Sequence, residues 1–234
     1  MKLPVRLVRR RSLWVPTLWG SLLLLVVAAG ALVLAARGLY PFLAINDPVR
    51  ARILVIEGWM SQEGLDQALV AFRSGAYEQA VTTGAPFDKW PRSDPYRSVA
   101  ERAADYLVAK GLPASAVRAV PGEVSVHDRT FWSAMAVREW ARDSGTRVIA
   151  IDVFSEGAHA RRSRLLYQKA FGPDVKVGVL AARSTAAGEE WWRTARGTRE
   201  VLDQAIAFFW TKLFFRTPSS EKGSANRGTP RTPS

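Results

Sequence analysis

The sequence predicts an α/β protein: a Rossmann-like three-layer domain with a mainly parallel sheet of about five strands, preceded by one N-terminal transmembrane helix. Two observations carry this prediction. Between residues 52 and 215, short β-rich runs alternate with helical stretches of about 10–16 residues, which is typical of βαβ units with helices on both sheet faces. Ahead of them, Leu13 to Ala36 form 24 residues without a charge, and a bilayer-spanning helix needs about 20.

The uncharged run divides the N-terminal part of the chain into a basic segment (1–12), a membrane anchor (13–36) and a linker (37–51). Lys/Arg residues crowd the side before the anchor, whereas Arg37 is the only charge in the ten residues after it. The positive-inside rule therefore places the N-terminus in the cytoplasm and the rest of the chain outside. The run is longer than the apolar region of a cleavable signal, about 7–15 residues. A signal peptide cleaved near Ala35 and Ala36 is the alternative interpretation.

The domain at 52–215 begins with an apolar, β-branched strand and continues with helices that stop at glycine, as at Gly75, Gly111 and Gly145. The predicted strands are 52–56, 79–83, 117–120, 147–153 and 175–180. The predicted helices are 64–75, 96–110, 130–145, 160–172 and 191–215. The tail at 216–234 is rich in Ser, Pro and Gly and is expected to be disordered.

The last predicted helix is strongly apolar, but only eight residues separate Asp203 from Lys212, too few to cross a bilayer. One stripe at helical spacing is expected to pack on the sheet: Leu202, Ile206, Phe209 and Leu213. Three aromatic residues lie off that stripe and are candidates for the outer membrane interface: Phe208, Trp210 and Phe214.

The net charge of +12 lies at the two ends of the chain and not in the domain. Residues 1–50 hold seven Lys/Arg against one acid and residues 216–234 hold four against one, which leaves 22 basic and 19 acidic residues between them. The domain therefore lacks the basic excess of a nucleic-acid-binding surface. The chain has no cysteine, which excludes disulfides, thiolate catalysis and Cys-ligated zinc.

Polar and small residues follow each of the first four predicted strands, where ligands bind in open parallel sheets. Helix N-termini at the same edge favour an anion. The expected ligand-binding residues are Gly58, Thr83, Gly84, Asp128, Thr130, Ser155, Gly157 and Arg162. The expected acid or base is His159, with Glu57 and Glu101 as candidates to orient a hydroxyl or water.

His159 and Arg162 are three residues apart and therefore share one face of a helix, whereas Arg161 and Arg164 are expected to be solvated. A nucleophile–base pair of Ser155 and His159 is an alternative, although no G-x-S-x-G motif surrounds the serine. A metal site is another, formed by His127, Asp128 and His159, but the spacing is not that of known ligand motifs. No metal and no cofactor is expected, because the glycine-rich NAD and ATP motifs are absent as well.

Taken in order, these strand edges resemble the SanA/YdcF/ElyC-like family of bacterial envelope proteins, over about residues 52–213. The matching pieces are ILVIEGW, FRSGAY, AVTTGAP, YRSVAERAADYLVAKGLP, DRTFWSA and SEGAHARRSR, and the EGW turn and HARRSR signature resemble one branch of the family. Five residues occupy the family's polar positions: Glu101, Thr130, Ser155, His159 and Arg162. The sequence departs from the family at three places: residues 57–59 (EGW) replace the first glycine run, residues 83–85 (TGA) replace Ser-Gly-Gly, and Ser133 stands where an asparagine is usual.

The resemblance implies a domain displayed outside the cytoplasmic membrane and involved in peptidoglycan or surface-polysaccharide assembly. We expect a membrane-anchored envelope-biogenesis protein that binds or processes a phosphorylated intermediate such as a lipid-linked glycan. A non-catalytic binding or scaffold module is the first alternative, and a nucleotide or S-adenosylmethionine binder is the second. Whether the protein is an enzyme stays open at this point.

Overall fold

The computed structural model describes residues 16–87, 95–123, 125, 127–184, 188 and 190–217. The chain forms two compact units, of which the first ends at Gly38 and the second begins at Leu39. Helix α1 (Leu18–Leu43) starts in the first unit and ends in the second. It is the one helix among these residues long and apolar enough to cross a membrane, with a mean hydropathy of 2.4, a property that a signal sequence would share. The predicted basic segment and the tail from residue 218 lie outside the described residues.

Five strands form one parallel sheet in the order β3-β2-β1-β4-β5, which confirms the predicted fold class. The strands are β1 (Ile53–Glu57), β2 (Gln79–Gly84), β3 (Val117–Pro121), β4 (Ala150–Glu156) and β5 (Lys176–Ala182). The helices of the domain are α2 (Gln62–Ser74), α3 (Val99–Ala109), α4 (Arg129–Asp143), α5 (Ala160–Phe171) and α6 (Ala195–Leu213). The chain order reverses between β1 and β4, so the ligand-binding crevice is expected there.

Alternate residues of each central strand feed two separate hydrophobic cores, because successive side chains of a strand point to opposite faces. Leu54 and Ile56 pack with α2 and α3 on one face. Val55 and Val153 pack with α4 and α5 on the other. The helices therefore cover both faces of the sheet, as the alternation of the sequence predicts.

The predicted linker is fastened to the domain over its last residues. The buried carboxylate of Asp152 accepts hydrogen bonds from the backbone of Val49 (2.7 Å) and Ala51 (3.0 Å). Asp47 pairs with Val179 in an antiparallel bridge along the outer side of β5. The segment thus covers an edge strand that would otherwise expose unpaired backbone groups.

The expectation that Arg161 and Arg164 are merely solvated is wrong. Arg164 forms an ion pair with Asp47 (2.7 Å) and donates to the carbonyl of Val177 (3.0 Å). The Arg161 guanidinium lies 4.0 Å from the ring centre of Phe42 and donates to the carbonyl of the same residue. Both arginines contact the segment that follows Gly38, a long-range contact that a helical pattern does not reveal.

The expected packing of α6 is also wrong. All four residues of the predicted core stripe are exposed: Leu202, Ile206, Phe209 and Leu213. The buried residues of this helix are Gly197, Val201, Ala205, Phe208 and Thr211. Both sets have helical spacing, and the set with the small residues Gly197 and Ala205 faces the domain, where a small side chain permits close approach. Phe208, predicted for the membrane interface, is only 6% exposed.

Candidate functional site

A cleft of about 540 Å³ lies at the carboxyl edge of the sheet, on the face covered by α4 and α5. Its walls are formed by Glu57, Trp59, Thr83, Gly84, Ala85, Val99, His127, Asp128, Arg129, Thr130, Ser133, His159, Arg162 and Gln204. The strand residues reach this face because they continue its apolar rows: Glu57 stands two residues after Val55, and Thr83 two residues after Val81. On β1 and β2 the row of apolar side chains therefore ends in a polar residue, and these polar residues line the crevice at the switch point.

Glu57 is the most deeply buried charged group of the cleft, with 2% of its surface exposed. The hydroxyl of Ser155 donates a 2.5 Å hydrogen bond to its Oε2, and that of Ser163 a 2.9 Å bond to its Oε1. A buried carboxylate requires such donors, because its desolvation is otherwise costly. Ser155 on β4 and Ser163 on α5 therefore fix the carboxylate of Glu57, one hydroxyl on each oxygen.

His159 lies in the turn between β4 and α5, and its side chain is 11% exposed. Its Nδ1 lies 2.8 Å from Oε1 of Gln204, and its Nε2 lies 3.4 Å from Oγ1 of Thr130. With Gln204 presenting its carbonyl oxygen, Nδ1 carries the proton and the neutral ring keeps a lone pair on Nε2. The Trp59 indole packs against the ring in a T-shaped contact, with centroids 5.0 Å apart.

Opposing influences act on the protonation of His159. Burial lowers the pKa of the imidazole, and the positive charge of Arg162 lowers it as well. The carboxylate of Glu57, 4.0 Å from Nε2, acts against both and raises the pKa. Burial is the largest influence, so the net pKa lies below the ordinary value of 6.5 and the resting ring is neutral at pH 7.

Arg162 supplies the cation of the cleft. Burial lowers the pKa of its guanidinium, whereas the charges of Asp128 and Glu57 raise it, and an arginine remains protonated at neutral pH. Its Nε donates to Oγ1 of Thr211 on α6 at 3.3 Å. A second groove of about 310 Å³ shares Asp128 and Arg162 with the cleft and continues along α6 past Ile206 and Trp210.

Two buried hydroxyls beside Glu57 complete no hydrogen bond of normal geometry within the described residues: Thr83 Oγ1 and Tyr167 OH. The two hydroxyls approach one another. Burial and the charge of Glu57 raise the pKa of Tyr167 well above 10, so its phenol stays neutral. Thr83 is 1% exposed and lines the cleft. An unpaired buried hydroxyl is uncommon in proteins, and here a ligand in the cleft can satisfy it.

Of the residues predicted from sequence, the structure places Glu57, Thr83, Gly84, Asp128, Thr130, His159 and Arg162 in one cleft. Glu101 lies elsewhere: its carboxylate accepts from the backbone of Arg97 (2.6 Å) and its own N–H donates to Ser98 (3.1 Å). These bonds resemble a capping box at the start of α3, except that the carboxylate accepts from the residue before the N-cap, and they give Glu101 a structural task.

The glycines Gly58 and Gly157 also lie outside the lining of the cleft. A Cβ on Gly58 would stand 2.8 Å from the carbonyl oxygen of Val99, so glycine permits β1 to approach α3. Gly157 has φ +48°, and a Cβ there would stand 2.9 Å from that of Ser184. Gly157 therefore shapes the turn into α5.

Sequence reasoning missed Gln204 and Ser163. Ser163 follows His159 by four residues, a spacing that places both on one helix face and could have indicated it. Gln204 comes from α6, 45 residues away, and no motif surrounds it. Among the described residues no group of three His, Asp or Glu side chains is arranged to hold a metal ion.

Comparisons with known protein families, with characterised proteins and with solved structures found no match. The resemblance to the SanA/YdcF/ElyC-like family therefore stays a prediction from the sequence.

Proposed function

We propose that the chain is a membrane-anchored, extracytoplasmic YdcF-like protein of cell-envelope biogenesis. Its cleft binds a phosphorylated envelope intermediate and transfers or hydrolyses the phosphoryl group. One observation carries this proposal: the contacts from Thr130 through His159 to Gln204 lie beside the partly buried cation Arg162 in one cleft. A held imidazole with an unprotonated Nε2 and an adjacent guanidinium are what base-assisted phosphoryl transfer needs.

Phosphate binding would rest on Arg162 and on the start of α4. The guanidinium offers several donors to phosphoryl oxygens. Arg129 and Thr130 form the first turn of α4 and line the cleft, and the first N–H groups of a helix have no partner within the helix itself. The hydroxyl of Thr83 supplies a further donor from the sheet edge.

Proton transfer would rest on His159. When a water or an acceptor hydroxyl attacks phosphorus, Nε2 accepts its proton, and the carboxylate of Glu57 at 4.0 Å stabilises the resulting imidazolium. Gln204 keeps the ring oriented through Nδ1. The new P–O bond replaces the bond to the leaving phosphate, which departs from a pyrophosphate as an anion and needs no proton. Arg162 neutralises the charge that develops on it.

Membrane anchoring would rest on α1. Its composition suits a bilayer span, and the basic residues before it favour a cytoplasmic N-terminus. A domain beyond that helix meets lipid-linked precursors at the outer surface of the membrane. A reporter fused after Ser234 tests the orientation, and a cytoplasmic signal from it would contradict this topology.

Phosphate release tests the proposed reaction. The full chain in lipid vesicles is supplied with a long-chain isoprenyl pyrophosphate, and released phosphate and bound lipid are both measured. We expect His159→Ala to lower turnover by about 100-fold or more while binding persists. Arg162→Gln should weaken binding, and the matched control Arg161→Gln should not, because Arg161 contacts Phe42 and not the cleft.

Two outcomes would contradict the proposal in different ways. If the wild-type protein binds the pyrophosphate and releases nothing, the cleft recognises and does not process, which favours the non-catalytic alternative. If neither binding nor release occurs, the phosphorylated ligand itself is wrong.

A further inference from the structure

Helix α6 presents an exposed apolar face to its surroundings. Its members are Leu202, Ile206, Phe209, Trp210 and Leu213 together with Phe214, the residue that caps the helix, and we call this set the α6 apolar face. They are between 43% and 68% exposed, and they make up six of the eleven exposed large apolar side chains in the described chain after Gly38. Such a concentration on one element is typical of an interaction surface.

The α6 apolar face is separate from the face that packs on the domain. Val201, Ala205 and Phe208 are 8% exposed or less and point inward. Basic residues stand at both ends of the helix, with Arg196 near its start and Lys212 at its last turn. A helix with one apolar aromatic face and flanking Lys/Arg is suited to lie in a membrane interface.

The chain itself connects the α6 apolar face to the apolar helix α1. Phe42, four residues after Gly38, stacks on Phe209 with ring centroids 6.3 Å apart and an interplanar angle of 11°. It also meets Phe208 edge-on at 5.6 Å. Four helical residues rise only about 6 Å, so a chain that leaves a bilayer near Gly38 has Phe42, which contacts the α6 apolar face, about 6 Å further on.

We propose that the α6 apolar face lies in the interfacial layer of the bilayer that α1 crosses. The inference rests on the membrane anchoring proposed above. Trp210 suits the headgroup region, where amphipathic rings collect, and Phe209 and Phe214 suit the apolar face of an interfacial helix. Ile206 and Trp210 also line the groove that leads to Arg162, so docking through this face places the mouth of that groove at the membrane surface.

Single-cysteine labelling tests the docking, since the natural chain has no cysteine. Nitroxide labels are placed at Ile206→Cys and Leu213→Cys in the full chain, in vesicles of phosphatidylcholine and phosphatidylglycerol. The matched controls are Val70→Cys and Ile149→Cys, because the native side chains are 65% and 67% exposed against 68% for Ile206 and Leu213. Collision rates are measured with oxygen, which concentrates in lipid, and with a water-soluble nickel complex.

We expect oxygen to be favoured over nickel several-fold at Ile206→Cys and Leu213→Cys, and nickel to be favoured at both controls. Labels on α6 that collide with nickel as often as the controls would overturn the docking. Labels shielded from both reagents would also overturn it, because they would indicate a protein partner or a second copy of this chain.

Alkaline carbonate extraction of the same vesicles tests the anchor separately. A protein that is released contradicts the proposed anchoring by α1. A protein that stays integral while its α6 labels remain in water contradicts only the docking inference.

Discussion

Oε2 of Glu57 lies 4.0 Å from Nε2 of His159, across the switch point of the sheet. Glu57 ends β1, whereas His159 stands at the start of α5, 102 residues later. The hydroxyls of Ser155 and Ser163 fix the carboxylate and Gln204 fixes the imidazole, so the charge of the first group acts on the second at a set distance.

Replacing Glu57 by Gln is expected to lower the pKa of His159 further. The carboxylate is the main influence that raises this pKa, and the amide keeps the shape of the side chain while it removes the charge. NMR titration of the histidine ring protons measures the change. The chain has two histidines, so a His127→Gln variant assigns the signals. An unchanged pKa of His159 would show that the two groups are not coupled.

The stability of the domain is expected to fall as the pH drops below about 6.5, the pKa of histidine in an unfolded chain. Burial holds the folded pKa of His159 lower, so between the two values the unfolded state binds a proton that the folded state does not. His159 therefore favours folding above this window and loses that contribution within it.

Chemical denaturation in detergent at pH 7.5 and pH 5 tests this effect of His159. Wild type is expected to lose more stability than His159→Gln, and equal losses would contradict the assignment. Carboxylates titrate in both proteins, so the comparison isolates the imidazole.

Asp152→Ala is expected to cost about 2–5 kcal/mol of unfolding free energy, because it removes the acceptor of several buried donors. Its carboxylate receives the N–H groups of Val49 and Ala51 and the hydroxyl of Tyr77 (3.0 Å). Thermal unfolding measures the loss. Asp152→Asn, which keeps one acceptor oxygen, should lie between the two proteins, and a fully stable Asp152→Ala variant would refute the structural role.

The polar edge of the sheet could be predicted from sequence because strand periodicity is local. Once the strands ending near Glu57, Thr83 and Ser155 are recognised, parallel pairing alone brings their ends together. The burial of these residues could be anticipated in the same way, since each continues an apolar row of alternate residues.

The rest of the site depends on contacts that no local pattern encodes. Gln204 reaches His159 only because α6 packs beside α5. Glu101 has the polarity of a site residue, but it bonds to Ser98 and to the backbone of Arg97, and these local hydrogen bonds hold it at the start of α3. Arg161 and Arg164 look solvated by composition and are held by Phe42 and Asp47 instead.

The two faces of α6 allow a direct test of which one the domain buries. Both are apolar and both repeat at helical spacing, so periodicity alone could not choose between them. Phe208 is 6% exposed and Leu213 is 68% exposed.

We expect Phe208→Ala to lower the unfolding free energy by about 3–5 kcal/mol, because it removes buried surface and leaves a cavity. Leu213→Ala should change the unfolding free energy by about 0.5 kcal/mol or less in detergent. Chemical denaturation of the two variants measures both values, and the reverse order would restore the stripe that the sequence predicts.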